Sequence, residues 1–368
     1  MPKLPPKTGV RIDRINTLLI DGNALFKRGY HGSHDAYNED GDHVGGIYQF
    51  ITVLRMLLTR DVFHNVYVFW DGKFSGKLRW ELYKDYKGDR GKDYINGTEP
   101  DNIDEKFQQF KVKQYLYHLS IRQIEDPVVE ADDYIAYYCN NKQENEDITI
   151  CTSDRDIVQL IAEDIKIWLC DLKEYVVLGN YSLYFKHHPD NVALIKTIVG
   201  DASDTIKGVK GVGEKTLLTL FPFLTERKSD LFEVLEEALK LQKARTVDKK
   251  KPLGALTNIL EGKTDGVQGD NLYEINQKLV DLTTPLMTNS SIEHYDDVIN
   301  TPLSDDRNQK EVYKMLKRDG VDDMIRDYRM TDYFLPFKKL KDRERRMSKE
   351  QEQHDNRSRT NEHQRKVV

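Results

Sequence analysis

Two patterns of apolar and polar positions alternate along the chain. Thr17 to Ile20, Val66 to Trp70 and Ile148 to Thr152 are short, continuous apolar runs, as expected of strands covered on both faces of a parallel sheet. Gly46 to Leu58 instead repeats its apolar residues at helical spacing and is placed as a cover on that sheet. Each run ends at or just before an acid, namely Asp21, Asp71 and Asp154. Ligands of open α/β sheets bind beyond the carboxyl ends of the strands, so neighbouring parallel strands would gather these acids at one edge. Further along, Ile165 to Cys170 and Tyr175 to Leu178 predict a β-hairpin around 171–174. A short helix from Asn191 to Val199 stops at Gly200, and a turn over Gly208 to Gly213 leads into a helix from Glu214 to Leu220. Ser229 to about Met330 is mainly helical, with a looser polar stretch at 249–269. The fold class is therefore α/β, a mostly parallel central sheet flanked by helices, followed by a helical subdomain.

The ends lack this order. Residues 1–16 carry Pro2, Pro5, Pro6 and Gly9 without periodicity and are expected to form a flexible leader. Beyond Phe337 the chain is almost wholly charged and polar, so 338–368 is expected to be a disordered tail or a solvated helix. Between them the expected division is an α/β domain at 17–200 and a helical subdomain at 201–337.

Composition adds little until it is read locally. The net charge of −6 argues on its own against a polyanionic partner. Yet Lys73 to Lys92 concentrates seven Lys and Arg among Phe74, Trp80, Tyr83 and Tyr86, a mixture suited to gripping phosphates and stacking on bases of single-stranded nucleic acid. The same mixture also describes a solvated amphipathic helix. Cys139, Cys151 and Cys170 lie in apolar runs without metal-ligand spacing and are expected to be buried free thiols. No apolar run is long enough for a signal peptide or a membrane span, and a cytoplasmic protein without a membrane partner is expected.

Three acidic clusters carry the chemistry: V-V-E-A-D-D (Val128 to Asp133), T-S-D-R-D (Thr152 to Asp156) and G-D-A-S-D (Gly200 to Asp204). Unpaired anions crowd together only where cations neutralise them, and hard oxygen donors select Mg²⁺ or Mn²⁺. Two such ions about 4 Å apart serve phosphodiester hydrolysis. Any one strand-end Asp before Gly also suits a turn or helix cap, but caps do not require acidic clusters at three places. Glu130 and Asp133 can share a helix face, whereas Asp132 joins them only at an irregular helix start. G-V-G-E-K-T (Gly211 to Thr216) lacks the Gly-Lys step of an ATP-binding loop, but a tight turn before a helix, with Lys210 and Lys215 beside it, suits a phosphate.

Taken together, these blocks resemble the flap endonuclease and 5′-3′ exonuclease family, in its bacterial and phage branch that includes the 5′-nuclease domain of DNA polymerase I. The matching blocks are D-G-N-A-L-F-K-R-G-Y-H (Asp21 to His31), G-G-I-Y-Q-F-I-T-V-L-R (Gly45 to Arg55), F-W-D-G (Phe69 to Gly72) and R-W-E-L-Y-K-D-Y-K-G-D-R (Arg79 to Arg90). The three acidic clusters and I-K-G-V-K-G-V-G-E-K-T (Ile206 to Thr216) follow in family order. The resemblance implies a PIN-like flap-endonuclease fold with a helical arch at about 73–111 and a helix-hairpin-helix at about 201–225. It implies one Mg²⁺ held by Asp21, Asp71, Glu130 and Asp132, and a second held by Asp154, Asp156, Asp201 and Asp204, with Asp133 supporting and Mn²⁺ able to substitute. Lys87 and Arg90 would contact the scissile phosphate, and Arg28, Arg79, Lys84 and Tyr86 would meet nucleic acid. Gly208, Lys210, Gly211, Gly213, Lys215 and Thr216 would hold duplex backbone, with K⁺ at the hairpin.

The implied activity is a structure-specific 5′ nuclease acting on DNA with a 5′ flap or 5′ end, or on an RNA–DNA hybrid during primer removal. The implied protein is a monomer, recruited by a single-strand-binding protein or a sliding clamp, in the host cytoplasm if phage-encoded. Thr205 stands where the family usually has Asn, and Ser153 where Gly is frequent; neither removes a ligand. Two alternatives are a silent junction-binding protein, which would need lost ligands, and a PIN-like ribonuclease, which would lack the hairpin after Asp204.

Overall fold

The computed structural model describes residues 14–88, 102–264, 271–304, 306–326, 328–343 and 345–346. Its centre is a six-stranded sheet in the order β3-β2-β1-β4-β5-β6, formed by β1 (Ile15–Asp21), β2 (Asn65–Asp71), β3 (Arg122–Asp126), β4 (Glu146–Thr152), β5 (Ile165–Leu169) and β6 (Glu174–Val176). The first five are parallel and β6 returns antiparallel to β5, as the predicted hairpin requires. β1 lies between β2 and β4, with Asp21 beside Phe69 and Ile20 beside Cys151. The acid-bearing ends of the three anticipated strands are thus neighbours. β1 also takes in Ile15 and Asn16, so order begins earlier than the expected leader boundary.

Helices cover both faces. On one, α1 (Gly22–Gly32) and α2 (Gly45–Arg60) bury Leu25, Phe26, Phe50 and Leu54 against Leu18, Ile20 and Trp70. The same core receives Val112, Tyr115 and Leu116 of a helix at Ile103–His118, α4, in which the last part of the expected arch therefore ends. The short α3 (Lys77–Leu82) precedes it. On the opposite face α5 (Ala131–Asn140) packs Tyr134 and Ile135 against Leu19, Phe69 and Ile150.

A separate core forms around α6 (Val192–Val199), α7 (Glu214–Leu220) and the helices Leu231–Val247 and Gly254–Leu260, joined by Leu272 and Tyr273. Helix Gly254–Leu260 lies inside the stretch expected to be loose, with Leu256 and Ile259 buried. The helical subdomain is smaller than expected, because the chain after it returns to the sheet. Tyr295 packs with α5, while Val312, Leu316, Met324 and Phe334 join the core under α2. The proposed tail boundary also moves. Phe337 and Leu340 are buried in that core, Arg343 Nη1 donates to the Phe63 carbonyl at 2.6 Å, and Lys341 Nζ donates to the Arg307 carbonyl at 2.7 Å. Two apolar residues three apart suffice to seat one turn of an otherwise charged helix. All three cysteines are buried and free. No helix among the described residues is long and apolar enough to cross a membrane.

Candidate active site

The C-terminal edge of the sheet opens into a cavity of about 180 Å³ lined by Asp21, Asp71, Glu130, Asp132, Asp154, Asp156, Asp201 and Asp204. Each acid is set by its local backbone. Asp21 ends β1 and caps α1, with Oδ1 accepting from Ala24 N at 2.9 Å and Oδ2 from Thr152 Oγ1 at 2.8 Å. Asp71 ends β2 and accepts from Ala131 N at 2.8 Å and from Asn23 Nδ2 at 3.0 Å, which ties the β2 end to α1 and α5. Glu130 is the extended N-cap residue of α5, and this break in helical geometry lets Asp132 face the cavity as well. Asp154 and Asp156 follow β4, with the Asp156 amide closing a turn onto Asp154 Oδ1 at 2.7 Å. Asp201 ends β7 (Gly200–Asp201), directly after α6, and Asp204 lies on the turn that leads into β8 (Ile206–Lys207).

This concentration of charge perturbs the carboxyls in two directions. Burial, with Asp71 and Asp154 nearby, pushes Asp21 up to about 7. Burial and the charges of Asp154, Asp21 and Asp71 raise Asp132 well above the carboxylate range. Asp156 is pushed up to about 7 by burial and Asp154, against the pull of Lys196. Glu130 and Asp201 go the other way. Burial raises them, but Lys87 and Arg79 hold Glu130 down at about 2, and Lys196 with Ser203 holds Asp201 at about 2. The lysines act as internal counter-ions: Lys87 pairs with Glu130, and Lys196 bridges Asp156 and Asp201. Among the described residues, no three acids stand at common ligating distances.

The basic and aromatic residues sort less simply. Lys87 lines the cavity, with φ of +50° and its amide donating to the Asp204 carbonyl at 2.9 Å. Arg90 lies outside the described residues. Arg79, expected on nucleic acid, is buried in the cavity wall: Nε donates to the Leu279 carbonyl at 2.9 Å, and the guanidinium pairs with Glu130 and Asp133. Tyr86 is likewise buried, its hydroxyl donating to Glu130 at 3.0 Å and to Asp204 at 3.2 Å. Asp133 does not line the cavity. It is almost fully buried, accepting from Arg79 and from Leu286 N at 2.9 Å, so its place is support rather than ligation. Lys84 is exposed, its ammonium 3.7 Å from the Trp80 ring centroid, and Arg28 is half-buried on α1. Sequence reasoning missed Lys27, Asn23 and Lys196. The signal for Lys196 was a single cation in the apolar helix V-A-L-I-K-T-I-V, five residues before Asp201.

At the hairpin, one glycine has a packing reason. A side chain at Gly208 would meet the Val199 carbonyl oxygen at 1.9 Å, so this glycine is needed for close backbone packing. Gly211 takes φ of +73° with open space around it. Lys210, Gly213 and Lys215 are exposed and Thr216 is half-buried. Thr205 sits at φ +59°, a left-handed position that Asn adopts more cheaply than a β-branched residue.

Residues 16–186 match the family model of the 5′-3′ exonuclease N-terminal, resolvase-like domain. A 5′-3′ exonuclease of Mycoplasmopsis pulmonis is 29% identical over 266 residues, 67% of this chain and 84% of that protein. The 5′-3′ exonuclease of Mycoplasma pneumoniae is 29% identical over 72% of this chain and 91% of its own length. DNA polymerase I of Streptococcus pneumoniae is 33% identical over 57% of this chain but only 24% of that enzyme. Among solved structures, a zinc-bound T5 5′-exonuclease superposes with a TM-score of 0.54 at 18% identity, covering 82% of this chain and 98% of its own. A bacteriophage T5 flap endonuclease complexed with DNA and metal ions also gives 0.54, at 17% identity, covering 82% of this chain and 99% of its own. Residues 16–186 are thus similar to the N-terminal, resolvase-like domain of 5′-3′ exonucleases, the chain as a whole is similar to bacterial 5′-3′ exonucleases, and its fold is that of the T5 enzyme.

Proposed function

We propose that the protein is a Mg²⁺-dependent, structure-specific 5′ nuclease that hydrolyses phosphodiesters of DNA carrying a 5′ flap or 5′ end. The observation that carries this reading is the convergence of eight carboxylates from separate segments on one cavity whose wall also bears Lys27 and Lys87. The donor set fits two hard divalent ions: every candidate ligand is a carboxylate, and Asp21, Asp132 and Asp156 are shifted upward as acids short of cationic neutralisation are. Asp21, Asp71, Glu130 and Asp132 would hold one ion, and Asp154, Asp156, Asp201 and Asp204 the other. Bound there, such ions activate a water and stabilise the leaving oxygen.

The remaining roles fall to the protein's own groups. Lys87, carried on a backbone pinned to Asp204, would orient the scissile phosphate and leave Glu130 to Arg79 and Tyr86 as it does so. Lys196 would yield Asp156 and Asp201 to the second ion while balancing their charge. Exposed Lys210 and Lys215 would take duplex phosphates at the hairpin, with K⁺ there as part of the same proposal. Removal of RNA primers, recruitment by a single-strand-binding protein or clamp, a monomeric state and a cytoplasmic location complete it. The test incubates a 5′-labelled flap duplex and a matching blunt duplex with purified protein, with and without Mg²⁺. Metal-dependent release of the flap near its junction supports the reading. Binding without cleavage in both Mg²⁺ and Mn²⁺ would replace it with a silent junction binder.

A further inference from the structure

Asp71 is held at both of its oxygens, by two groups of different kinds. Oδ1 accepts from the Ala131 amide at 2.8 Å, a backbone group fixed by the start of α5. Oδ2 accepts from Asn23 Nδ2 at 3.0 Å, a side-chain amide on α1 that could turn over and offer its oxygen instead. An ionised carboxylate only accepts, so this contact needs the Asn23 nitrogen on the side of Asp71. The Asn23 oxygen then faces the other way, where it accepts from Gln109 Nε2 of α4 at 3.1 Å.

The three side chains therefore form one directed series, in which Gln109 donates to Asn23 and Asn23 donates to Asp71. Both amides are half-buried, where a hydrogen bond competes less with water than on an open surface. Asn23 and Asp71 line the carboxylate cavity, and Gln109 stands behind them. A carboxylate pinned at both oxygens keeps its plane, and so the direction of its remaining lone pairs, before a cation arrives. Loss of such outer partners commonly weakens metal binding about 10–100-fold.

We propose that Asn23 and Gln109 are positioning residues of the metal centre: Asn23 orients Asp71 for ligation, and Gln109 fixes which way the Asn23 amide faces. The proposal rests on the metal-dependent reading above and adds to its carboxylates two neutral side chains from α1 and α4.

The experiment measures Mn²⁺ binding to the full chain at neutral pH without nucleic acid, from the electron paramagnetic resonance signal of the unbound ion. It compares wild type, Asn23→Ala, Gln109→Leu, Gln109→Glu, and Asn23→Ala combined with Gln109→Leu, with melting in EDTA to confirm that each is folded. Asn23→Ala should weaken binding about 10–100-fold. Gln109→Leu, one hydrogen bond further out, should weaken it about two- to tenfold, and should cause no further loss once Asn23 is Ala. Gln109→Glu decides by sign. It keeps the shape of the side chain and adds an anion, which by charge alone would tighten a cation. The directed series requires the reverse, because a carboxylate cannot donate and draws the Asn23 nitrogen to itself, turning the Asn23 oxygen onto Asp71. Unchanged or tighter binding by Gln109→Glu would overturn the proposal, as would equal losses for Gln109→Leu with and without Asn23. The Gln109→Glu arm stands by itself if Asn23→Ala does not fold. Failure of wild type to bind Mn²⁺ would instead refute the metal-dependent reading, so the two failures are distinguishable.

Discussion

Arg79 offers the sharpest separation between holding the site together and touching its substrate. Its guanidinium is buried and satisfies three acceptors from two distant segments at once: the Leu279 carbonyl, Glu130 at 2.5 Å, and Asp133, with Nη2 at 3.0 Å from Asp133 Oδ1. Arg79→Ala leaves two buried carboxyls and a buried carbonyl without this partner. Breaking a buried ion pair by removing one member costs about 3–5 kcal/mol, and an unmet buried acceptor costs about 1–3 kcal/mol when counted singly. These terms overlap, so a total loss of about 3–5 kcal/mol is expected. Arg79→Lys should not restore it, because one ammonium cannot reproduce the planar fork that reaches all three acceptors.

The pH dependence of that loss has a definite sign. Burial pushes the Asp133 carboxyl up even with Arg79 opposing it, and without Arg79 it rises further. A carboxyl with a raised folded-state pKa binds its proton more tightly folded than unfolded, so its effect on stability becomes unfavourable as pH rises above its ordinary range. Glu130, held at about 2 with the help of Arg79, contributes stability that is present above about 4.5 and lost as pH falls towards 2. Removing Arg79 weakens that contribution too. The deficit of Arg79→Ala relative to wild type should therefore be larger at pH 8 than at pH 5, as read by urea denaturation at both pH values. Replacing the pair together, Arg79→Met with Asp133→Leu, should recover part of the loss by removing the stranded charge. A change in stability below about 1 kcal/mol, combined with lost flap binding, would refute this reasoning and return Arg79 to the nucleic-acid surface.

Asp154→Ala and Asp204→Ala should abolish cleavage while flap affinity, measured by anisotropy in EDTA, stays within a few-fold, because phosphate grip and metal chemistry use different residues. Asp21 and Asp156, pushed up to about 7, bind protons in the folded state that they release unfolded, so in EDTA the melting temperature should fall as pH rises from about 4 to 7. Mg²⁺ should then raise it more at pH 8 than at pH 5.5, and a gain independent of pH would count against metal at these acids. Thr205→Asn should stabilise by about 1 kcal/mol in denaturant titration, since a β-branched residue at φ +59° carries strain that Asn relieves. Leu340→Ala should cost about 2–5 kcal/mol, whereas a disordered tail would lose nothing.

What could be read from the sequence divides along a physical line. β1, β2 and β4 were visible because each is buried on both faces, so one run of residues reports its own environment. Their acids followed from the parallel pairing. β3 escaped because R-Q-I-E-D is an edge strand with an apolar residue only at Ile124. Its terminal Asp126 also shows the ordinary use of a strand-end acid: it accepts from Val128 N, Val129 N and Tyr134, and does not line the cavity. The helix at Ile103–His118 was hidden differently, since Phe107 and Phe110 remain exposed and blur its apolar stripe.

Arg79, Tyr86 and Lys196 share a deeper reason. In R-W-E-L-Y-K-D-Y-K nothing local separates the buried Arg79 and Tyr86 from the exposed Lys84. What separates them is the position of Glu130, Asp133 and Leu279, which lie 51, 54 and 200 residues further along. Periodicity records the average surroundings of a segment, whereas a buried cation is decided by one partner brought in by the fold. A multi-carboxylate site heightens that blindness, because its acids must be neutralised by something. Here Lys87 and Lys196 stand against Glu130, Asp156 and Asp201 in the folded chain. Basic residues near such clusters thus divide between those that balance the site and those that meet the substrate, and only the folded geometry assigns each to its side.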